Sequence, residues 1–524
     1  MKLVRALLLK LFLQLSIDQL ESAEYGRPFF GYTSDDDFCH INACDALQKI
    51  REEMASATHT THLAKDKTTD DSTEVQLGKL ERRLRSVEQT VWSRSTDDER
   101  WYRCCEGPCR CRPETHTLSC WRQEIDELPA KQIVPADIRV IDLGINQISS
   151  LHKDAFDGFI RLTQLDLFDN HIDFLPSTLL QSCESLAHLR LHRNRLEELP
   201  RKLFLRNIHL ETIDISFNSL RLLPEALFKG TNKLTVINLA SNLLEAIPET
   251  LFQNLDKLEE LDLSANLLSE FKPGTFNGLI NLKRLKLQDN QINHLPPGIF
   301  SEIRFLDLLS LRRNRLTFIR PGLFDSLSLL TQLDLAGNWI ATLSGQEFLN
   351  LRSVKELHLG QNLLTDLPDD IFRELISLEK LMLFSNNLQN LREKAFTGLT
   401  NLTALFLNNN LLKLMDEKVF KPLPHLKKLQ IDSNKFQYLP TDCLDYVGEL
   451  QSLKLAKNPW HCDCAILYLA RWLKKNKPKV WDSNPQCRGP GDLGGKLIEE
   501  MEFEDLCDGQ WASMVRLTPR VPIK

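Results

Sequence analysis

The sequence predicts an α/β solenoid in which a curved parallel sheet lines the concave side, with disulfide-stapled caps and a partly helical N-terminal extension. Asparagine recurs every 24 residues, at fourteen positions from Asn146 to Asn458. Leucines hold a fixed frame around it, standing eight, five and three residues before Asn266 and two after it. Cysteine clusters flank the repeats on both sides. A strict period of this kind indicates stacked units, because one unit alone cannot bury its own apolar face.

The regions outside the period divide the chain further. In chain order we predict a signal peptide (1–23), a linker with a short helical or coiled-coil segment (24–103), an N-terminal cysteine-rich cap (104–135), 24-residue repeats (136–457), a C-terminal cysteine-rich cap (458–508) and a tail (509–524). The signal peptide follows from Lys2 and Arg5, which precede a mostly apolar run, with cleavage near Ala23. A buried or membrane-surface helix is the alternative for this run.

The segment before the first cap carries a short apolar stripe. Its members are spaced by three and four residues: Leu77, Leu80, Leu84, Val87 and Val91. Such spacing favours a coiled-coil seam, so residues 74–92 are predicted to form a homo-oligomer contact. The alternative is an amphipathic helix that folds against the N-terminal cap. The stretch before it, rich in Thr, Asp, His and Lys, is typical of a linker.

Two columns of the repeat are expected to hold its interior together. A phenylalanine stands ten residues after the asparagine in eleven of the thirteen complete repeats, and it is expected to return from the opposite wall into the leucine core. The asparagine amide has two donor hydrogens and an acceptor oxygen, which suit backbone groups of neighbouring turns. We therefore expect a ladder of asparagine hydrogen bonds along the solenoid.

The cysteines indicate an oxidising compartment. The flank cysteines are Cys105, Cys109, Cys111 and Cys120 before the repeats, and Cys462, Cys464, Cys487 and Cys507 after them. Small stapled domains of this kind cover the apolar ends of a solenoid and are typical of secreted proteins. Cys183 and Cys443 occupy apolar columns and are expected to be buried thiols. Cys39, Cys44 and Cys104 remain unassigned, and their odd number leaves one for a bond between chains.

These features resemble the extracellular "typical" leucine-rich repeat family with cysteine-rich flanks, as in Slit proteins, the Nogo receptor, the acid-labile subunit and the carboxypeptidase N regulatory subunit. The resemblance covers about residues 104–508. It implies a horseshoe that binds proteins, commonly on its concave face. It also implies disulfides from first to third and second to fourth cysteine in each flank: Cys105–Cys111, Cys109–Cys120, Cys462–Cys487 and Cys464–Cys507. Cys104 is an alternative to Cys105 in the first pair.

Several functional classes are not expected. The net charge of −6 argues against a nucleic-acid binder. No apolar segment reaches the roughly 18 residues that a membrane helix needs. Catalytic motifs are missing, and the spacing around His461, Cys462 and Cys464 does not match common zinc modules. We therefore expect no enzyme activity, no cofactor and no metal.

The outward strand positions are the expected binding surface. They lie six, four and two residues before each asparagine, because side chains alternate across a strand. Met382, Phe384 and Phe406 occupy such positions on adjacent strands, and Trp339 stands at the edge two turns earlier. We call these four residues the apolar patch. Exposed aromatic clusters favour a protein partner, whereas cover from within the chain is the alternative.

Charge and modification suggest further surface features. Basic residues gather near the C-terminal cap, compatible with an acidic polysaccharide or acidic partner, or simply with a solvated helix. They are Lys454, Lys457, Arg471, Lys474, Lys475, Lys477 and Lys479. The basic strand around Arg190, between Asp166 and Asp214, is expected to be a compensated face. Asn401 lies in the chain's single N-x-S/T sequon, which predicts a glycan.

The functional hypothesis is a secreted, extracellular, non-catalytic protein-binding chain that acts as a ligand, receptor subunit or scaffold. Three more specific roles stay open. The chain could be a regulatory subunit that stabilises a secreted enzyme or carrier, a matrix or glycosaminoglycan-binding adhesion protein, or an innate immune recognition protein.

Overall fold

The computed structural model describes residues 87, 89, 91–95, 101, 104, 107–130, 132–482 and 484–507. All of them belong to the compact unit Leu77–Lys524. The predictions for the signal peptide, the linker, the tail, Leu77, Leu80, Leu84, Cys39, Cys44 and Cys105 lie outside these residues.

Short strands are the main regular elements among the described residues. They are β1 Ser93–Ser95, β2 Arg110–Arg112, β3 Thr117–Ser119, β4 Ile133–Pro135, β5 Val140–Asp142, β6 Gln164–Asp166, β7 His188–Arg190, β8 Thr212–Asp214, β9 Val236–Asn238, β10 Glu260–Asp262, β11 Arg284–Lys286, β12 Leu308–Ser310, β13 Gln332–Asp334, β14 Glu356–His358, β15 Lys380–Met382, β16 Asn390–Leu391, β17 Ala404–Phe406, β18 Leu414–Met415, β19 Lys428–Gln430 and β20 Ser452–Lys454. Of these, β5 to β15, β17, β19 and β20 each belong to one ladder asparagine, so the solenoid has about fourteen turns.

One sheet runs through all the turns. Its sixteen strands follow the order β2, β3, β5 to β15, β17, β19 and β20, and two small sheets join β1 to β4 and β16 to β18. Strand β2 is antiparallel to β3, and the repeat strands pair in parallel with a 24-residue register. Leu261, for example, lies opposite Ile237 and Leu285. The period seen in the sequence is therefore the register of the sheet.

The core is built from the two columns that the period predicts. The central leucine or isoleucine of each repeat strand is buried, and so is each returning phenylalanine. Phe300 is fully buried and stacks between Phe276 and Phe324, with ring centroids 6.3 and 6.2 Å away. Each turn thus closes its core with rings from its neighbours.

The asparagine ladder also forms as expected. The Nδ2 group of Asn266 donates to the carbonyls of Leu239 and Leu263, at 3.0 and 3.1 Å. Its Oδ1 accepts the backbone N–H of Leu244 at 3.1 Å. One buried side chain therefore satisfies backbone groups in two successive turns. These groups lie where the chain leaves the strand and no longer pairs with a neighbouring strand.

The C-terminal cap contains two α-helices. Helix α1 spans Leu467–Asn476 and α2 spans Phe503–Leu506. Single 3-10 turns occur at Pro113–Thr115, Glu393–Phe396, Cys464–Ile466, Lys477–Lys479, Gly491–Leu493 and Ile498–Glu500. The return segments of the repeats are mostly turns, because a 24-residue repeat leaves little chain for a helix.

Four disulfides staple the caps. Cys109–Cys120, Cys462–Cys487 and Cys464–Cys507 are the pairs that the family resemblance implies. The first pair differs from the expectation, because Cys104 and not Cys105 is bonded to Cys111.

The position of Cys104 explains this correction. Its side chain is fully buried, and its carbonyl accepts a 2.8 Å hydrogen bond from Nε2 of the buried Gln132. Because a cysteine sulfur forms only one disulfide, the bond of Cys111 to Cys104 excludes the pairing with Cys105. Cys183 and Cys443 are buried and make no disulfide, as predicted. Burial raises the pKa of the Cys183 thiol to about 12, which keeps it an inert thiol.

A tryptophan that the sequence pattern did not single out anchors the segment before the N-terminal cap. Trp92 is buried and meets Phe156 and Phe159 edge-on, with centroids 6.2 and 6.4 Å away. Strand β1, which follows it directly, pairs in parallel with β4. Val87 and Val91 are exposed, 65% and 36%. Trp92 therefore packs on the repeats of its own chain. Self-association through residues 74–92 stays a prediction.

Candidate functional site

The outward face of the sheet follows the predicted alternation. In β15 the central Leu381 is fully buried, whereas Lys380 is exposed and Met382 half-buried. The turns on either side repeat the pattern, with His358 and Phe406 directly opposite Met382. This alternation places one row of side chains from every turn on a single continuous surface.

The aromatic side chains of the apolar patch are partly covered from within the chain. The ring of Phe384 lies over Gly360 of the preceding turn, where an added Cβ would come within 2.8 Å of its ring carbons. The Lys428 ammonium lies 5.2 Å from the ring centroid of Phe406. Gly360 under one ring and Lys428 beside the other leave Phe384 and Phe406 half-buried, so the alternative of cover from within the chain holds in part.

The most exposed member of the patch stands at its edge. Trp339 follows its ladder asparagine directly and is 52% exposed. The same position one turn later holds Leu363, which is 46% exposed, and Leu411 occupies it two turns after that. Our sequence prediction missed both leucines. The signal that identifies them is the position immediately after the ladder asparagine, where a large apolar side chain has no core to enter.

A histidine borders the patch on its N-terminal side. His358 Nδ1 lies 3.5 Å from a carboxylate oxygen of Asp334, and Nε2 lies 3.5 Å from one of Glu356. Burial lowers the pKa of His358, but the attraction of the two carboxylates outweighs it and the net pKa is raised. The border therefore favours a positive charge held between two acids.

Earlier turns carry charges that compensate one another. Arg190 lies 3.4 Å from Asp166, and His192 lies 3.6 Å from Asp214. Burial raises the pKa of Asp166 despite its pairing with Arg190. These contacts support the interpretation of this strand as a compensated face.

Part of the basic cluster near the C-terminal cap is also paired. Lys474 lies 3.1 Å from Glu502, and Lys477 lies 2.8 Å from Glu499. Local acids thus reduce the charge that this helix end offers to an acidic polysaccharide, which favours the solvated-helix alternative there.

Asn401 is exposed on the loop that enters β17, and its Nδ2 donates a 2.8 Å hydrogen bond to the carbonyl of Ile376. A glycosylated asparagine keeps one Nδ2 hydrogen, so this contact is compatible with a glycan. We expect glycosidase treatment of the secreted protein to increase its electrophoretic mobility, and Asn401→Gln to abolish that shift. Unchanged mobility of the wild-type protein would contradict the prediction.

The described residues contain no helix long and apolar enough to cross a membrane. They also contain no group of three or more His, Cys, Asp or Glu side chains arranged to hold a metal ion.

Comparison with known proteins agrees with this architecture. The family described as leucine rich repeat matches residues 136–196, 184–244, 208–268, 232–292, 257–315, 304–364, 352–412 and 400–459, which together span more than half of the chain. The chain is 34% identical over 64 residues to mouse SLIT and NTRK-like protein 4, covering 12% of this chain and 8% of that protein. It is 34% identical over 67 residues to mouse carboxypeptidase N subunit 2, covering 13% of this chain and 12% of that protein.

The chain therefore matches only a small part of these curated relatives. Among solved structures, it resembles a chain of the Drosophila Toll–Spatzle complex with a TM-score of 0.65 and 23% identity, covering 74% of this chain and 54% of that one. That likeness concerns the fold alone. Because the repeat match extends over most of the solenoid, the chain belongs to the leucine-rich repeat family.

Proposed function

We propose that this protein is a secreted, non-catalytic, protein-binding leucine-rich repeat protein whose main partner binds the apolar patch. The observation that carries the proposal is the exposure of Trp339 at the sheet edge together with the half-exposed Met382, Phe384 and Phe406 on the outward face. Large apolar groups left in water cost about 25 cal/mol per Å², so a partner that covers them gains free energy. Aromatic residues and Met are also enriched in interface cores.

The disulfide-stapled caps support the extracellular part of the proposal. Such staples persist in oxidising compartments, and small caps depend on them. Charged side chains of successive outward strands pair with one another, which suits a binding scaffold better than chemistry.

A narrower candidate is a subunit that stabilises a secreted enzyme or carrier. The similarity to carboxypeptidase N subunit 2, whose name describes a subunit, favours it. The match covers a small part of both chains, so this role is the second candidate.

The test compares wild-type protein with a Phe384→Ala, Phe406→Ala double variant. Partners are captured on the tagged secreted protein from extracellular fluid, identified by mass spectrometry and titrated. Truncated aromatic anchors commonly cost about 2 kcal/mol or more, so we expect a loss of roughly thirtyfold in affinity with normal folding.

The control for this test is a variant with Phe217→Ala, which removes an aromatic side chain that is 55% exposed on a distant turn. It should bind as wild type does. Wild-type affinity of the double variant would refute the patch as the main site. Release of the partner by high salt would then direct attention to the basic C-terminal cap.

A further inference from the structure

Two arginines beside the apolar patch make no ion pair with any residue that the structure describes. Arg312 stands on the outward face and Arg315 at the edge, both exposed, and no acidic side chain of the described residues lies within ion-pair distance of either. Their neighbour Arg313 is paired with Asp289 at 3.5 Å. Elsewhere on the sheet the charges of successive strands compensate one another, as with Lys286 and Glu260 at 2.7 Å. The positive charges of Arg312 and Arg315 are therefore not compensated by described acidic side chains.

Backbone hydrogen bonds join these arginines to the patch turn by turn. The N–H of Arg313 donates to Ala336 (2.8 Å), that of Gly337 to Gly360 (2.9 Å), and that of Gln361 to Phe384 (2.8 Å). The row that begins with Arg312 thus continues through Ala336 and Gly360 to Phe384. Along the edge, the row that begins with Arg315 continues through Trp339 and Leu363.

The residues between the arginines and Phe384 are small. Ala336 is buried, and Gly360 lies under the ring of Phe384. Gly337 lies so close to Arg313 that an added Cβ would come within 3.1 Å of the arginine Cγ. We call the surface built from these two rows the arginine–aromatic strip. Arg312 and Arg315 bound one end, Phe384 bounds the other, and Trp339 and Leu363 form one side.

We infer that the arginine–aromatic strip binds a protein segment that carries carboxylates next to a large apolar side chain. This inference rests on the proposed function and specifies the partner's chemistry. The carboxylates complement Arg312 and Arg315, because guanidinium groups bind carboxylates in paired hydrogen bonds. The apolar side chain covers Trp339 and the exposed edge of Phe384. Trp and Arg are the residue types that most often dominate interface energy, which suits a site where both stand side by side.

The experiment pans a random-peptide phage library against the immobilised full chain. We expect enriched peptides with Asp or Glu beside an aromatic or aliphatic residue. Synthetic versions of the enriched peptides should lose about tenfold or more in affinity for an Arg312→Glu, Arg315→Glu variant, as expected for reversed charge at an interface. Affinity should also fall with increasing salt.

The control variant is Arg193→Glu, Arg195→Glu. Its two arginines flank the ladder asparagine of an earlier turn and are likewise exposed. This variant should bind the peptides as wild type does. Failure to enrich any peptide, enrichment without acidic residues, or equal affinity for the Arg312→Glu, Arg315→Glu variant would each overturn the inference.

A parallel binding measurement with heparin distinguishes a protein segment from an acidic polysaccharide as the ligand. Heparin binding that depends on Arg312 and Arg315 and displaces the peptides would assign the site to a polysaccharide and reject our inference. The proposed function is tested by a separate result: it is refuted if the Phe384→Ala, Phe406→Ala variant binds the natural partner with wild-type affinity. The two failures are thus distinguishable.

Discussion

Replacing Phe300 by alanine is expected to lower the free energy of unfolding by about 3–5 kcal/mol. Its ring is fully buried and stacks on Phe276 and Phe324, so truncation removes apolar contact with both neighbouring turns. Because the turns of a solenoid are stabilised by their neighbours, the cavity weakens three turns at once. Equilibrium unfolding in urea, followed by circular dichroism with the disulfides intact, measures the change in midpoint.

The matched control is Phe305→Ala in the same repeat. Phe305 is 57% exposed, so the identical truncation should change the stability by no more than about 0.5 kcal/mol. Equal midpoints for the two variants would mean that the phenylalanine column is not the core of the solenoid.

The second large effect is expected at the asparagine ladder, from Asn386→Ala. Nδ2 of Asn386 donates to the carbonyls of Leu359 and Leu383 at 2.9 and 3.1 Å, and its Oδ1 accepts the N–H of Leu364 at 3.1 Å. Alanine leaves the buried Leu364 N–H without a partner. It also removes one of the two amide hydrogen bonds that each carbonyl accepts, the others coming from Asn362 and Asn410. An orphaned buried group costs about 1–3 kcal/mol, so a loss of about 3 kcal/mol is expected in the same urea experiment.

The neighbouring Asn387 provides the control, because its side chain is exposed and makes no ladder bond. Asn387→Ala should leave the urea midpoint nearly unchanged. Asn386→Asp keeps the size and the acceptor but loses both donors, and it should be at least as harmful as alanine. A stable Asn386→Asp protein would show that the donated bonds contribute little.

For the apolar patch, the repeat frame predicts which face a side chain occupies but not how exposed it is. Counting back from Asn386 and Asn410 correctly assigned Met382, Phe384 and Phe406 to the outward face. Counting does not give the extent of their exposure, because this depends on what occupies the adjacent turn. Gly360 under one ring and Lys428 beside the other reduced that exposure.

The repeat frame also does not predict which charged side chains form ion pairs. The sequence places Arg312 and Arg315 around a ladder asparagine, as it places Arg193 and Arg195 around another. Whether an arginine finds a carboxylate depends on the side-chain directions of adjacent turns, which the repeat pattern does not contain. Only the folded chain distinguishes paired Arg313 from its unpaired neighbours.

By itself, the sequence determined the period, the strand register, the buried leucine and phenylalanine columns, the asparagine ladder and the two stapled caps. These features follow from the local pattern, because each residue meets its counterpart 24 positions away. Tertiary structure decided the features outside that rule: Cys104 in place of Cys105, Trp92 packed on Phe156, and the pairing of Arg313 but not of Arg312 or Arg315 with a described acid. Each of these depends on side-chain direction or on contacts between segments that share no period, so packing alone decides them.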